Sequence, residues 1–290
     1  MDKPILDLYD EYTHAPLPRR VFLERLTRLA GSAAAAAAIL PLLEVRSVSA
    51  SIVAPDDPRI VAERVAFAGT TGDVKGYLVR PKSAAKKPPK LGAVIVIHEN
   101  RGLTPHIEDV TRRVALEGFL ALGVDVLSPV GGTPANEDAA RELFTKLDPK
   151  QTLGNLVAAI GFLEKHPSSN RKVGAVGFCW GGGMVNDLAV NAPGLDAGVA
   201  YYGRQPKAED VPKIVAPLML HYASLDTRIN EGIPPFEAAL KSAKKVYTLH
   251  MYEGVNHAFN NDSSAARYNK EAADLAWSRT IAFLRERLKG

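Results

Sequence analysis

A single cysteine, Cys179, stands in the 290 residues, which excludes an intramolecular disulfide framework and any cysteine-rich metal site. Charge of one sign is scarce as well. Lys and Arg number 36 against 32 Asp and Glu, and the formal +4 is too mild to argue for a nucleic-acid partner. The densest basic run, Lys82 to Lys90, is broken by Pro88 and Pro89 and reads as a solvated loop. No apolar run reaches the roughly 20 residues of a spanning helix, so no stable membrane span is expected. Between Ser51 and Gly290 there is no internal repeat and no long polar tract to suggest a second domain. What remains, 46% hydrophobic and 23% charged residues, is the mix of an ordinary globular domain. The lone thiol is then a packing residue or a reagent, and its neighbours decide which.

The first fifty residues read differently from the rest. Pro18-Arg19-Arg20-Val21-Phe22-Leu23-Glu24 precedes an alanine-rich stretch, Leu29 to Leu43, closed by Glu44. Paired arginines followed by a short apolar run match the order of a twin-arginine export signal, with Val48-Ser49-Ala50 as its cleavage site. The expectation is a leader over residues 1–50, export to the periplasm, and one catalytic domain over 51–290. The competing reading is an amphipathic helix of a cytoplasmic protein, with Arg25 and Arg28 on its polar face. His14, His106, His166 and His250 have no companions at metal-ligand spacing and read as ordinary histidines.

Further along, Val65–Ala68 and Val74–Val79 flank a glycine-bounded turn and predict two antiparallel strands. Apolar runs then alternate with helical segments. Strands are expected at Ala93–Ile97, Phe119–Val124, Val173–Phe178, Ala197–Tyr202, Pro217–Leu220 and Tyr247–Tyr252. Helices are expected between them at His106–Glu117, Glu137–Leu147, Thr152–Lys165, Gly181–Asn191 and Pro235–Ser242, with a last one over Ala265–Leu288. That alternation predicts a three-layer α/β domain around a mostly parallel sheet, whose reactive groups belong at the carboxyl ends of its strands. At those ends the sequence places Glu99, Cys179, Asp226 and His257.

Gly177-Phe178-Cys179-Trp180-Gly181 has the form G-x-C-x-G between a buried strand and a helix. A nucleophile on so tight a turn needs small residues two before and two after it. The turn sets Cys179 at a helix amino end, where thiolate is favoured, and leaves the Trp180 amide free to donate to an oxyanion. His257 would carry the proton and Asp226 would steer it. Taken singly, Cys179 could be a buried packing residue, Asp226 a helix cap and His257 a loop histidine. Nucleophile, acid, histidine is the chain order of the α/β-hydrolase fold.

On these residues, together with His98-Glu99-Asn100-Arg101-Gly102, Asp226-Thr227-Arg228-Ile229-Asn230 and Asn256-His257-Ala258-Phe259, the chain from about Val61 to Leu288 resembles the dienelactone hydrolase family. The resemblance implies an α/β-hydrolase fold and a Cys179-His257-Asp226 triad that opens a small ester or lactone through an acyl-enzyme, without a cofactor. It also implies that Glu99 helps to deprotonate the thiol and that the Asn100 amide is the second oxyanion donor. Where family members clamp a substrate carboxylate with two arginines, this chain reads Val126-Leu127-Ser128-Pro129 and Asn260-Asn261-Asp262. Arg101 and Arg228 are the leading substitutes, with Arg204 and Arg267 behind them, and a substrate other than dienelactone is expected. Two rival functions keep the fold and drop the hydrolysis: an exported binding protein, or a redox-sensing thiol.

Overall fold

The computed structural model describes residues 1–14, 17–43 and 51–290. Eight strands form one sheet in the order β1-β2-β4-β3-β5-β6-β7-β8. β1 (Ile60–Gly69) and β2 (Gly72–Pro81) are antiparallel, and β2 also pairs antiparallel with β4 (Leu120–Val124). From β4 onward every pairing is parallel, through β3 (Leu91–Ile97), β5 (Ser169–Phe178), β6 (Ala197–Tyr201), β7 (Leu218–Ala223) and β8 (Tyr247–Tyr252).

The continuous apolar run of β3 is explained by its central place. Ala93, Ile95 and Ile97 enter one core, and Val94 and Val96 the other, as period-two alternation requires of a strand covered on both faces. The first core is closed by α6 (Pro149–Lys165), α7 (Trp180–Asn191) and α9 (Ile233–Ser242) through Leu156, Leu163, Leu188, Phe236 and Leu240. The second is closed by α4 (Pro105–Leu116) and α10 (Lys270–Arg287) through Val110, Val114, Ile281 and Leu284. The expected three-layer α/β architecture is therefore present.

Helix boundaries follow local chemistry. Thr104 caps α4, accepting from the Ile107 amide, and Pro105 sits in its first turn, where no backbone donor is needed. Asn269 accepts from the Ala272 amide and starts α10 at Lys270, five residues later than periodicity alone suggested. Residues 82–90 are the exposed loop their composition predicted.

The amino-terminal residues pack as three helices, α1 (Lys3–His14), α2 (Arg19–Ala30) and α3 (Ala33–Leu43). They share a small core of their own, built around Leu8, Tyr9, Tyr12, Phe22 and Leu26. α1 and α2 lie against the α/β layers. Tyr12 donates to Asp138 at 2.6 Å, Arg19 pairs with Asp138 at 2.7 Å, and Asn100 donates to the Thr13 carbonyl at 2.6 Å. Arg20 is exposed and 3.8 Å from Glu24. Among the described residues no single helix is long and apolar enough to cross a membrane, and α2 and α3, which together meet that length, are bent by 113°. The Val48-Ser49-Ala50 cleavage site lies outside the described residues.

Candidate active site

The turn from β5 into α7 holds Cys179 at φ 56°, ψ −115°, a conformation that a side-chain-bearing residue rarely adopts. Gly177 and Gly181 make it possible. A Cβ on Gly177 would collide with the Gly181 carbonyl, and one on Gly181 with the carbonyls of Ile97 and His98. The second collision also shows how closely the elbow sits on the end of β3, which brings the His98–Gly102 loop beside the thiol. Trp180 opens α7, so its amide has no acceptor within the helix.

His257 follows β8, and its Nδ1 lies 2.5 Å from Asp226 Oδ2, with both side chains buried. Asp226 also caps the short helix α8 (Thr227–Asn230), its Oδ1 accepting from the Ile229 amide. Asp226 thus serves as a helix cap with one oxygen and as the partner of His257 with the other. Burial works against charge on His257, but Asp226, the thiol and Asp10 outweigh it and hold the imidazole well above its ordinary value. The buried His257 Nε2 has no hydrogen-bond partner among the described residues.

The thiol's own hydrogen bond goes to a residue that the sequence left as ordinary. His14, at the end of α1, places Nε2 3.0 Å from Cys179 Sγ. Its ring stands edge-on to His257, centroids 4.9 Å apart. The donor atoms of His14, Cys179 and His257 all fall within 4.8 Å of one another, a convergence made by the fold and invisible to spacing along the chain. Burial would raise the Cys179 thiol, yet the imidazoles of His14 and His257 bring it down to about 6. The signal that could have found His14 is Asp10, four residues earlier on the same face of an acid-rich helix (Asp7, Asp10, Glu11) quite unlike a basic export region.

The other expected residues are placed as follows. Glu99 is buried, its Oε2 accepting from Asn261, and it lines a small void beside Cys179 and His14. Arg101 is buried in the wall, donating to Glu137 and Asn100, and does not line the main cavity. Arg228 does line it, and is held by Asp10 at 3.1 Å. Arg204 is paired with Asp187. Arg267 packs over the Tyr9 ring. The cavity above the thiol measures about 860 Å³ and is walled by Tyr12 and His14 on one side and by Trp180, Tyr202 and Arg228 on the other. The Tyr202 hydroxyl is buried without a partner among the described residues, and burial keeps it protonated by pushing its pKa far up. Tyr202 was not anticipated, since nothing in the sequence marks the loop after β6.

The profile of the dienelactone hydrolase family matches residues 74–288. A putative carboxymethylenebutenolidase of Saccharolobus solfataricus is 33% identical, the match covering 73% of this chain and 96% of that protein. A probable 2-oxo-3-(5-oxofuran-2-ylidene)propanoate lactonase of a Bradyrhizobium species is 30% identical over 77% of this chain and 93% of its own. Among solved structures, a putative dienelactone hydrolase from Klebsiella pneumoniae superposes with a TM-score of 0.70 at 28% identity, covering 78% of this chain and 99% of that one. The family match begins beyond α1, so His14 lies outside it.

Proposed function

Since the chain belongs to the dienelactone hydrolase family and so is a hydrolase of esters or lactones, we propose that it works by covalent catalysis through Cys179, His257 and Asp226. The observation that carries this reading is the convergence of a strained cysteine elbow with a buried 2.5 Å Asp226–His257 pair.

The Cys179 thiolate attacks the substrate carbonyl carbon and forms the S–C bond. The electron pair pushed onto oxygen is received by the Trp180 and Asn100 amides. As the tetrahedral species collapses, the C–O bond to the leaving group breaks and His257 Nε2 supplies its proton. Water then adds to the thioester, giving its proton to His257, and the S–C bond breaks to release the acid and the thiolate. Asp226 keeps the His257 Nδ1 proton in place through both halves.

A small neutral ester or lactone fits the cavity best. Arg19, Arg141, Arg204 and Arg228 all reach its wall, but each is already paired with an aspartate. A substrate carboxylate would have to compete for them. The test is hydrolysis of an activated aryl ester by the wild type and by Cys179→Ala, followed by a panel of esters and lactones with and without a carboxylate. Loss of turnover in the variant and preference for the neutral members are expected. Turnover surviving the substitution refutes the mechanism, and strong preference for anionic members refutes the substrate class.

A further inference from the structure

We propose that His14 is a catalytic residue of this enzyme: it accepts the proton of the Cys179 thiol at Nε2 and holds it there while the thiolate attacks, with Asp10 as its positioning residue. This rests on Cys179 being the nucleophile.

A second imidazole meets the sulfur, held by the main chain of its own helix with a carboxylate nearby. His14 Nδ1 hydrogen-bonds the Asp10 carbonyl oxygen at 2.8 Å and lies 3.1 Å from Asp10 Oδ1. A carbonyl can only accept, so Nδ1 carries hydrogen and Nε2 of the neutral ring is the acceptor that meets the thiol. After transfer the S–H electron pair stays on sulfur, and the new Nε2–H donates back to it. The two helix ends favour the same charge distribution. Cys179 sits at the amino end of α7, which stabilises an anion, and His14 at the carboxyl end of α1, which stabilises a cation.

The arrangement divides the labour. In a lone triad one imidazole must both free the nucleophile and protonate the leaving group. Here the thiol proton goes to His14, while His257, which Asp226 and the thiol keep protonated, gives its Nε2 proton to the leaving group and takes one back from the attacking water. It also displaces Glu99 from the thiol-activating role, since the Glu99 carboxylate is taken by Asn261 while the sulfur bonds to His14. α1 forms a wall of the cavity that Cys179 also lines. The residue lies outside the family match, and it acts only while its helix remains attached.

The charged and titratable groups around the sulfur are few enough to test separately. From α1 come Asp10 and His14; from the loop after β3, Glu99 and Arg101; from after β6, Tyr202. Asp226 and Arg228 follow β7, and His257 and Arg267 follow β8. Cys179 is the one thiol in the chain, so its alkylation by iodoacetamide in the full-length protein reports its titration directly. The wild type should show a midpoint near 6. In His14→Gln the midpoint should rise by about 1–2 units, the loss expected for one nearby opposite charge. The acid limb of kcat/KM should move with it, so that activity falls about 3- to 25-fold at pH 6.5 and recovers by pH 9. Asp10→Asn should move the midpoint part of the way, and Glu99→Gln should leave it in place. Should His14→Gln fold poorly, His14→Ala supplemented with free imidazole serves instead, and imidazole should restore the low midpoint. An unmoved midpoint in His14→Gln, no rescue by imidazole, or a rise in Glu99→Gln alone overturns the proposal. An active Cys179→Ala overturns the mechanism beneath it, which is a separate outcome.

Discussion

Replacing Asp226 by Asn probes the steering of His257 without changing its volume. Asp226 accepts two hydrogen bonds, from His257 Nδ1 at 2.5 Å and from the Ile229 amide at 3.3 Å. An asparagine has one acceptor oxygen. If it keeps the Ile229 amide, its NH₂ faces His257 Nδ1 and drives the ring proton to Nε2, leaving no base for water. If it keeps His257, its NH₂ faces the Ile229 amide donor and α8 loses its cap. The pair is buried, so solvent cannot repair either loss. General acid–base assistance contributes about 10²–10⁴ in rate, and a loss near the middle, about 10³ or ~4 kcal/mol in the barrier, is expected. The thiolate itself should survive, because His14 and the α7 amino end remain. With an aryl ester whose phenolate leaves unassisted, stopped-flow should therefore show a burst of one equivalent followed by slow turnover. Intact mass should show the acyl-enzyme accumulating. Turnover within tenfold of wild type, or disappearance of the burst itself, would refute the reasoning.

Gly177→Ala drives a Cβ into the Gly181 carbonyl, backbone against backbone. Overpacking of this kind costs about 1–3 kcal/mol, so a fall of several degrees in melting temperature together with loss of esterase activity is expected, and an unchanged melting curve would contradict the strained turn. Asp262 is half-buried, which alone would raise its carboxyl, but His106 and Arg113 bring it down to about 2. A carboxyl depressed in the folded state stabilises above its unfolded value near 4 and loses that contribution as pH falls through about 2. The loss amounts to about 2 kcal/mol. Urea midpoints measured at pH 7 and pH 2.5 should fall less in Asp262→Asn than in wild type, and equal slopes would discount the ion pairs.

How much could be read in the sequence depended on the range of the signal. The β3 run, the β1–β2 turn and the G-x-C-x-G elbow are local patterns whose physics is complete within a few residues, and the structure contains each of them. Cys179, Asp226 and His257 were legible because strand ends converge by rule, so three separated motifs could be placed at one edge. Glu99 was legible as a neighbour of the elbow, but not its engagement with Asn261. Arg101 illustrates the opposite limit. Its guanidinium reads as available in the sequence, while in the fold it is spent on Glu137 and Asn100 beneath α1. His14 was illegible for a similar reason. The paired arginines and the alanine run drew the reading of residues 1–50 toward a detachable leader, whereas the reach of α1 to the sulfur depends on tertiary packing that no local pattern encodes. The leader reading and the catalytic role of His14 make opposite demands on that helix, and His14→Gln distinguishes them.

The contact between His14 and Cys179 spans 165 positions of the chain. During synthesis the helix bearing the imidazole emerges long before the strand bearing the sulfur, and contacts of such separation close late. The waiting segment would be hazardous if its apolar stripe stayed bare. Leu8, Tyr9, Phe22 and Leu26 instead cover one another, so the hairpin can bury its own oily face before its docking ground exists. If His14 activates the thiol as proposed, a chain whose hairpin has not yet docked carries an ordinary, sluggish thiol.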